Sequence, residues 1–365
     1  MKRIKILIGA GGTGGHLFPA LAVMEKIKEI RPDSEFYFTG REDKIEGNII
    51  PQLGLPFIPI NVDGFSGISI QSFTLPIKIL NAKRKLGKLI RTANINAVIC
   101  TGAYISLAPG LAAKTNHIPL FLLESNVNPG KAISLLTRYA SKIYTSFPST
   151  INFFEPKIQK LVTYTGNPLR KFFFQDYEKE TALSKFGLRA KNKTILVFGG
   201  SLGAKSINEA MEAILDNLRE LNINVIWQTG NNYELKEKNY DNIRILKFID
   251  NMNLAYAAAD LIVSRSGATT IAELAALAKP SILVPLPSAS TNEQYLNAKV
   301  LADNQAVILL EDKNLKSKLL DTIKLNIFDE DNLNKLSESI KKFATKNAAE
   351  LVAKNILEYI ENNGK

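Results

Sequence analysis

Twice the chain passes from a short β-branched apolar run, through a glycine-rich turn, into a segment with helical spacing. Few folds accommodate that pattern. The first run, Ile4 to Ile8, feeds Gly9-Ala10-Gly11-Gly12-Thr13-Gly14-Gly15-His16, after which Leu17, Leu21, Met24 and Ile27 recur at helical spacing. The second, Thr194 to Phe198, feeds Gly199-Gly200-Ser201-Leu202-Gly203-Ala204 and then an Ile207 to Leu218 helix. Glycine lets the backbone turn tightly and approach an anion, and the unpaired amides at a helix start face negative charge. Such a turn also serves strand–helix packing alone, so a ligand needs support from elsewhere in the chain.

That support begins with repetition. Strand-like runs at Glu35–Thr39, Ala97–Thr101, Pro119–Leu123, Lys142–Thr145 and Leu161–Tyr164 alternate with helical segments in the first half. Val225–Gln228, Ile243–Phe248, Leu261–Val263 and Ile282–Val284 do so in the second. Alternating strands and helices predict an α/β protein with parallel, doubly wound sheets, whose ligands bind beyond the carboxyl ends of the strands. Length allows two domains, each with its own core. Gly166-Asn167-Pro168-Leu169-Arg170 breaks the pattern. The expected division is 1–165, then 166–345, with a final helix at 346–365 packing back towards the first domain, and the two domains facing a cleft.

Charge separates the halves. Residues 1–170 carry 21 Lys+Arg against 10 Asp+Glu, whereas residues 171–365 carry 25 of each, so the whole net +11 lies in the first half. An anionic partner for that half is implied, whether a membrane surface, a nucleic acid or a phosphorylated substrate. Much of the excess falls between Phe73 and Arg91. There Lys78, Lys83, Arg84, Lys85, Lys88 and Arg91 surround Leu75, Ile79, Leu80, Leu86 and Leu89. A basic amphipathic helix suits an anionic lipid surface; the same helix with a solvated basic face suits a core. The N-terminus carries no long apolar run, and no run of 18 apolar residues occurs, which predicts a cytoplasmic or membrane-peripheral protein. The single cysteine, Cys100, sits in an apolar run and reads as a buried small hydrophobe. No metal-ligand cluster stands out.

Gly9, Gly11 and Gly14 formally satisfy a dinucleotide fingerprint, but its acidic partner at the end of the second strand is replaced by Phe38-Thr39-Gly40-Arg41. Two phosphate-type turns suit transfer from a nucleotide-activated donor better. Helix amides and Arg170 would stabilise a diphosphate leaving group, and His16 would serve as the base for an acceptor hydroxyl. His117, beside Asn116 before a strand, reads as a loop residue.

The motifs then match something specific. GGTGGHLFPALA at 11–22, Gly102–Pro109, GNPLR at 166–170, GGSLGAKSIN at 199–208, Phe248-Ile249-Asp250, RSGATTIAE at 265–273 and Gln294-Tyr295-Leu296-Asn297-Ala298 occur in one order. In this the chain resembles the MurG family, the UDP-N-acetylglucosamine transferases that glycosylate lipid I in peptidoglycan synthesis. The resemblance implies an inverting GT-B enzyme with two Rossmann-like domains, no cofactor and no essential metal. It acts on the C4 hydroxyl of the N-acetylmuramoyl group at the cytoplasmic face of the inner membrane. UDP-N-acetylglucosamine and lipid I would be its partners, with an anionic membrane surface, no nucleic acid, and room for other cell-wall synthesis proteins.

By position, Ile249 would meet the uracil through its backbone and Glu273 would accept from the ribose hydroxyls. Ser201 and the amides of Ala268, Thr269 and Thr270 would hold the diphosphate, with Arg170 nearby. Gln294 would read the sugar hydroxyls. Thr13, Gly14, Gly15 and Asn126 would approach sugar and acceptor, with His16 as base. The membrane patch would fall on Leu75, Ile79, Lys83, Arg84, Lys85 and Lys88. Departures from the family pattern lie at Leu123, Ser125, Ile133 and Leu202, where hydrogen-bonding side chains are common in the family; a leucine at 202 neither donates nor accepts. Alternatives left open are another GT-B enzyme, such as one with a different lipid acceptor or a sugar-nucleotide epimerase, and a UDP-binding membrane scaffold of weak activity.

Overall fold

The computed structural model describes residues 3–62, 70–200, 202–234, 240–287 and 292–363, with residues 70–73 described as backbone only. The fold divides into two compact units: residues 1–170 with 345–365, and residues 171–344. The break thus falls after Arg170, a few residues beyond the expected boundary.

Unit 1 runs β1 (Lys5–Gly9), α1 (Gly14–Ile30), β2 (Glu35–Gly40), α2 (Ile45–Gln52), β3 (Phe57–Pro59), α3 (Ile70–Ala93), β4 (Ala97–Cys100), α4 (Leu107–Thr115), β5 (Leu120–Glu124), α5 (Lys131–Leu136), β6 (Lys142–Thr145), α6 (Pro156–Gln159) and β7 (Val162–Tyr164). Among the described residues its strands form one parallel sheet in the order β3-β2-β1-β4-β5-β6-β7. Side chains alternate across that sheet. Ile6, Ile8, Ile99, Phe121 and Leu123 enter one core, and Leu7, Val98, Cys100, Leu120 and Leu122 the other. Both faces are covered, which is why these strands read as continuous apolar runs rather than alternating ones. Cys100 is fully buried, and burial pushes its thiol up to about 12, so it packs as an inert small side chain.

Unit 2 runs α7 (Lys179–Lys185), β8 (Thr194–Phe198), α8 (Lys205–Glu220), β9 (Asn224–Gln228), β10 (Ile243–Leu246), α9 (Met252–Ala258), β11 (Leu261–Ser264), α10 (Ala268–Ala276), β12 (Ser281–Leu283), α11 (Glu293–Asp303), β13 (Ile308–Leu309), α12 (Leu315–Ile327) and α13 (Glu330–Lys341). Its sheet, also parallel, has the order β10-β9-β8-β11-β12-β13. Ile207, Met211, Ile214 and Leu218 of α8 pack with Leu315, Leu319 and Ile323 of α12 over Ile195 and Val197.

The chain then returns to unit 1 as α14 (Ala348–Asn363), which packs against α1. Val352, Ala353, Ile356, Leu357 and Ile360 complete the core beneath β1, β4 and β5. Unit 1 is therefore built from both ends of the sequence.

Candidate functional site

In each sheet the strand order reverses at the first strand of the glycine turn: β1 lies between β2 and β4, and β8 between β9 and β11. The connections from two adjacent strands diverge there and open a crevice beyond their carboxyl ends. Thr13 to His16 stand at the reversal point of unit 1, whereas Asn126 follows β5 and Arg170 follows β7; in unit 2 the Gly199–Gly203 turn and the start of α10 follow the two strands at its reversal point.

In unit 1, Thr13 is the extended N-cap of α1, and its carbonyl accepts from the His16 and Leu17 amides. His16, the third residue of α1, has Nδ1 2.8 Å from the Thr101 carbonyl oxygen. A carbonyl only accepts, so Nδ1 carries the proton, and in the neutral ring Nε2 is then the acceptor nitrogen. The Thr101 hydroxyl donates back to the His16 carbonyl at 2.8 Å. Gly102 has φ +106°, and a Cβ there would stand 2.9 Å from Cε1 of the imidazole. The segment after β4 therefore holds this ring, through the Thr101 carbonyl and Gly102. Ser106 closes the second loop, accepting from the Gly102 amide at 3.1 Å.

Sequence reasoning missed Glu46. Its side chain is fully buried under the glycine loop, where Oε2 accepts from the Gly12 amide at 2.8 Å and Oε1 from the Arg41 amide at 2.9 Å. The only sequence signal was a carboxylate in the first turn of α2, an ordinary feature of helices.

Asn126 stands in a turn organised by the buried Glu124. Oε1 of Glu124 accepts from the Asn126 amide at 2.8 Å and from its Nδ2 at 3.3 Å, while Oε2 accepts from the Gly130 amide at 2.9 Å. Arg170 belongs to unit 1, and Nε and Nη2 both reach Oε1 of Glu25 on α1, at 2.8 and 2.6 Å. This is an ion pair within the unit that ties the end of its first segment to α1. His117 has φ +54° and sits in the turn before β5.

In unit 2 the second loop lies flat on its neighbours. A Cβ on Gly203, at φ +78°, would fall 1.9 Å from the Thr229 carbonyl oxygen. Gly200 is the opposite case, with φ +95° and, among the described residues beyond its chain neighbours, nothing within 4 Å of a Cβ position. Ser201 lies outside the described residues. Gln228 staples this loop to the segment after β10, since Nε2 donates to the Gly200 carbonyl at 3.0 Å and Oε1 accepts from the Ile249 amide at 2.8 Å. A base reading Ile249 would therefore have to address its carbonyl. Ala268, Thr269 and Thr270 are the first three residues of α10, whose amides have no acceptor within the helix.

Glu273 lies in the second turn of α10, so it does not cap the helix. Its Oε2 accepts from the Tyr256 hydroxyl at 2.8 Å. Burial pushes its carboxyl up to about 7, against the opposing effect of that hydrogen bond. The residue as a whole is partly exposed, while its carboxylate is buried. Gln294 is held by the Leu286 amide, which donates to Oε1 at 3.0 Å, and its own carbonyl accepts from Ser266 at 2.8 Å. Arg265 ties the whole crevice together. Nη1 donates to the Val284 carbonyl and to Asp312, and Nη2 to Ser206 at the start of α8.

The basic helix α3 has two faces. Leu75 and Ile79 pack against the core that holds Ala82, Leu86 and Ile90, because all five follow one helical stripe. The exposed apolar positions are Ile77 and Leu80, at 61% and 42%, beside exposed Arg84, Lys85 and Lys88, whereas Lys83 is half-buried. Among the described residues no helix is long and apolar enough to cross a membrane, and no group of three or more His, Cys, Asp or Glu could hold a metal ion.

Residues 6–145 match the glycosyltransferase family 28 N-terminal domain, and residues 194–355 match the glycosyltransferase family 28 C-terminal domain. A curated relative from Flavobacterium psychrophilum is 34% identical over 99% of both chains. It is named UDP-N-acetylglucosamine–N-acetylmuramyl-(pentapeptide) pyrophosphoryl-undecaprenol N-acetylglucosamine transferase. Among solved structures, Acinetobacter baumannii MurG superposes with a TM-score of 0.74 at 26% identity, covering 97% of this chain and 99% of that one. S. aureus MnaA, solved with UDP, shares the fold at 16% identity, with a TM-score of 0.72 over 100% and 98% of the two chains.

Proposed function

The chain belongs to glycosyltransferase family 28, and from that premise we propose that it moves N-acetylglucosamine from UDP-N-acetylglucosamine to the C4 hydroxyl of lipid I. The observation that carries the reading is the contrast between the two reversal points. In unit 1 the His16 Nδ1 lies 2.8 Å from the Thr101 carbonyl, which suits the tautomer a general base would use. In unit 2 a left-handed glycine turn, the first residues of α10 and the buried Glu273 carboxylate suit a nucleotide diphosphate and its ribose.

In this reading unit 2 holds the donor. Ribose hydroxyls donate to Glu273, the uracil meets the Ile249 backbone, the amides of residues 268–270 face the diphosphate, and Gln294 reads the sugar. Nε2 of His16 takes the proton of the acceptor hydroxyl as its oxygen bonds to C1 of the sugar. The bond from C1 to the β-phosphate oxygen breaks on the opposite side, inverting the centre, and charge develops on the departing UDP where the helix amides stabilise it. Asn126, set by Glu124, and the Thr13–Gly15 turn approach the acceptor. The exposed face of α3, with Ile77, Leu80, Arg84, Lys85 and Lys88, suits the cytoplasmic surface of an anionic membrane, where a lipid-linked acceptor resides.

The test is UDP release from UDP-N-acetylglucosamine with and without a lipid I analogue. Acceptor-dependent release supports the transferase, release without acceptor points to transfer to water as in a hydrolysing epimerase, and UDP binding without any release points to a scaffold.

A further inference from the structure

Unit 1 and unit 2 open with the same kind of glycine turn, yet the two turns are filled differently. In unit 2, among the described residues and apart from its chain neighbours, nothing comes within 4 Å of a Cβ position on Gly200. In unit 1 a Cβ on Gly11 would lie 2.2–2.5 Å from the carboxyl atoms of Glu46, and a Cβ on Gly40 would lie 2.4 Å from its Cγ. The carboxylate is sandwiched between two glycines and accepts from the Gly12 and Arg41 amides, one on each oxygen.

We propose that Glu46 is the built-in anion of the first glycine turn, a positioning residue that takes the amide a bound phosphate would need and holds the turn in the shape that sets His16. This rests on the transferase reading and deepens it: the turn of unit 1 receives uncharged hydroxyl-bearing parts of the acceptor, and nucleotide phosphate belongs to unit 2. Two physical arguments carry it. A second anion at the same amide would meet a like charge across a hydrogen-bond length in a dry site, which is strongly unfavourable. The link to His16 is short: Gly12 precedes Thr13, whose carbonyl accepts from the His16 amide at 3.2 Å. A turn that loses its internal acceptor would let the imidazole drift relative to the Thr101 carbonyl, and small misplacements of reacting groups cost on the order of a hundredfold in rate.

The experiment uses the full chain with Glu46→Gln and Glu46→Ala. Glu46→Gln keeps the volume but turns one acceptor into a donor facing an amide; kcat should fall ten- to hundredfold while UDP affinity stays within twofold of the unmodified protein. In Glu46→Ala the vacated turn should take up formate: sodium formate should raise the unfolding temperature of this variant and restore its kcat at least fivefold, and sodium chloride at equal ionic strength should do neither. The unmodified protein should be insensitive to formate. Retention of more than half of kcat by Glu46→Gln overturns the proposal. So does a kcat loss that follows lowered stability with no formate effect, which makes Glu46 a folding residue only. The formate-induced thermal shift needs no turnover. If no acceptor elicits UDP release the transferase reading fails alone, and absence of the shift still overturns the role of Glu46.

Discussion

The Tyr256 hydroxyl donates to Oε2 of Glu273 at 2.8 Å, linking α9 to α10 beneath the open turn of unit 2. Tyr256 is itself fully buried among Phe173 and Phe198, so its position is fixed by packing rather than by ligand. One oxygen of the carboxylate is thereby committed, and in the proposed reading the pair would meet a ribose as a preset unit.

This arrangement makes donor binding pH-dependent. With its carboxyl at about 7, Glu273 is ionised above neutrality and protonated below it. The ionised form is the stronger acceptor for ribose hydroxyls, so UDP affinity should be level above pH 7 and weaken as pH falls below it. Tyr256→Phe removes a hydrogen bond that lowers the carboxyl's pKa, so its midpoint should move to higher pH. Calorimetry with UDP from pH 5.5 to 8.5 reads both; a flat profile rules out Glu273 as the ribose acceptor.

The same group sets a stability trend with an unusual sign. Between pH 4.5, its ordinary value, and about 7, folded Glu273 keeps a proton that the unfolded chain has lost. Its contribution therefore disfavours folding as pH rises through that window and is constant above it. The effect is at most about 3 kcal/mol, and less because the residue retains some exposure. Glu273→Gln should flatten this part of the urea-midpoint profile, with UDP affinity weakened about ten- to a hundredfold at pH 8 for the loss of charged hydrogen bonds.

His16→Ala should lower kcat by roughly 10²–10⁴ with UDP affinity unchanged, because in the proposed reading the groups that meet UDP lie in unit 2. Single-turnover kinetics with a lipid I analogue checks it. A loss of less than tenfold removes His16 from the role of base.

Reversing Arg84, Lys85 and Lys88 to Glu should abolish sedimentation with phosphatidylglycerol vesicles at low salt, since each basic residue near an anionic surface contributes about 1 kcal/mol. These three side chains are exposed, so the fold should survive. Undiminished binding would mean that α3 serves only the core of unit 1.

Ile356→Ala in α14 should destabilise unit 1 by about 2–5 kcal/mol, because this side chain is fully buried beneath its sheet. Donor affinity, a property of unit 2, should be unchanged, which binding and unfolding measured on the same variant will show.

Much of this was legible in order along the chain. The β-branched runs, the glycine turns and the helical spacing are local signals, set by contacts within one element, so they identified two parallel α/β units and the turns that are candidate ligand sites. What the sequence left open depends on partners far apart in it. Gly12 and Glu46 are 34 residues apart, and His16 and Thr101 are 85 apart. No periodicity connects such residues. Nor could it show that two similar glycine turns differ, one closed by a carboxylate from α2 and the other open. Leu75 and Ile79 read as part of a membrane face until the stripe they share with Leu86 placed them on the core. Arg170, legible as a cation near the domain boundary, acquired its partner Glu25 only through folding. Composition and spacing determined the architecture and the candidate positions, because backbone and burial preferences act locally. The protonation, orientation and occupancy of those positions were decided by tertiary structure, because a carboxylate or an imidazole takes its properties from whichever groups the fold brings within about 3 Å.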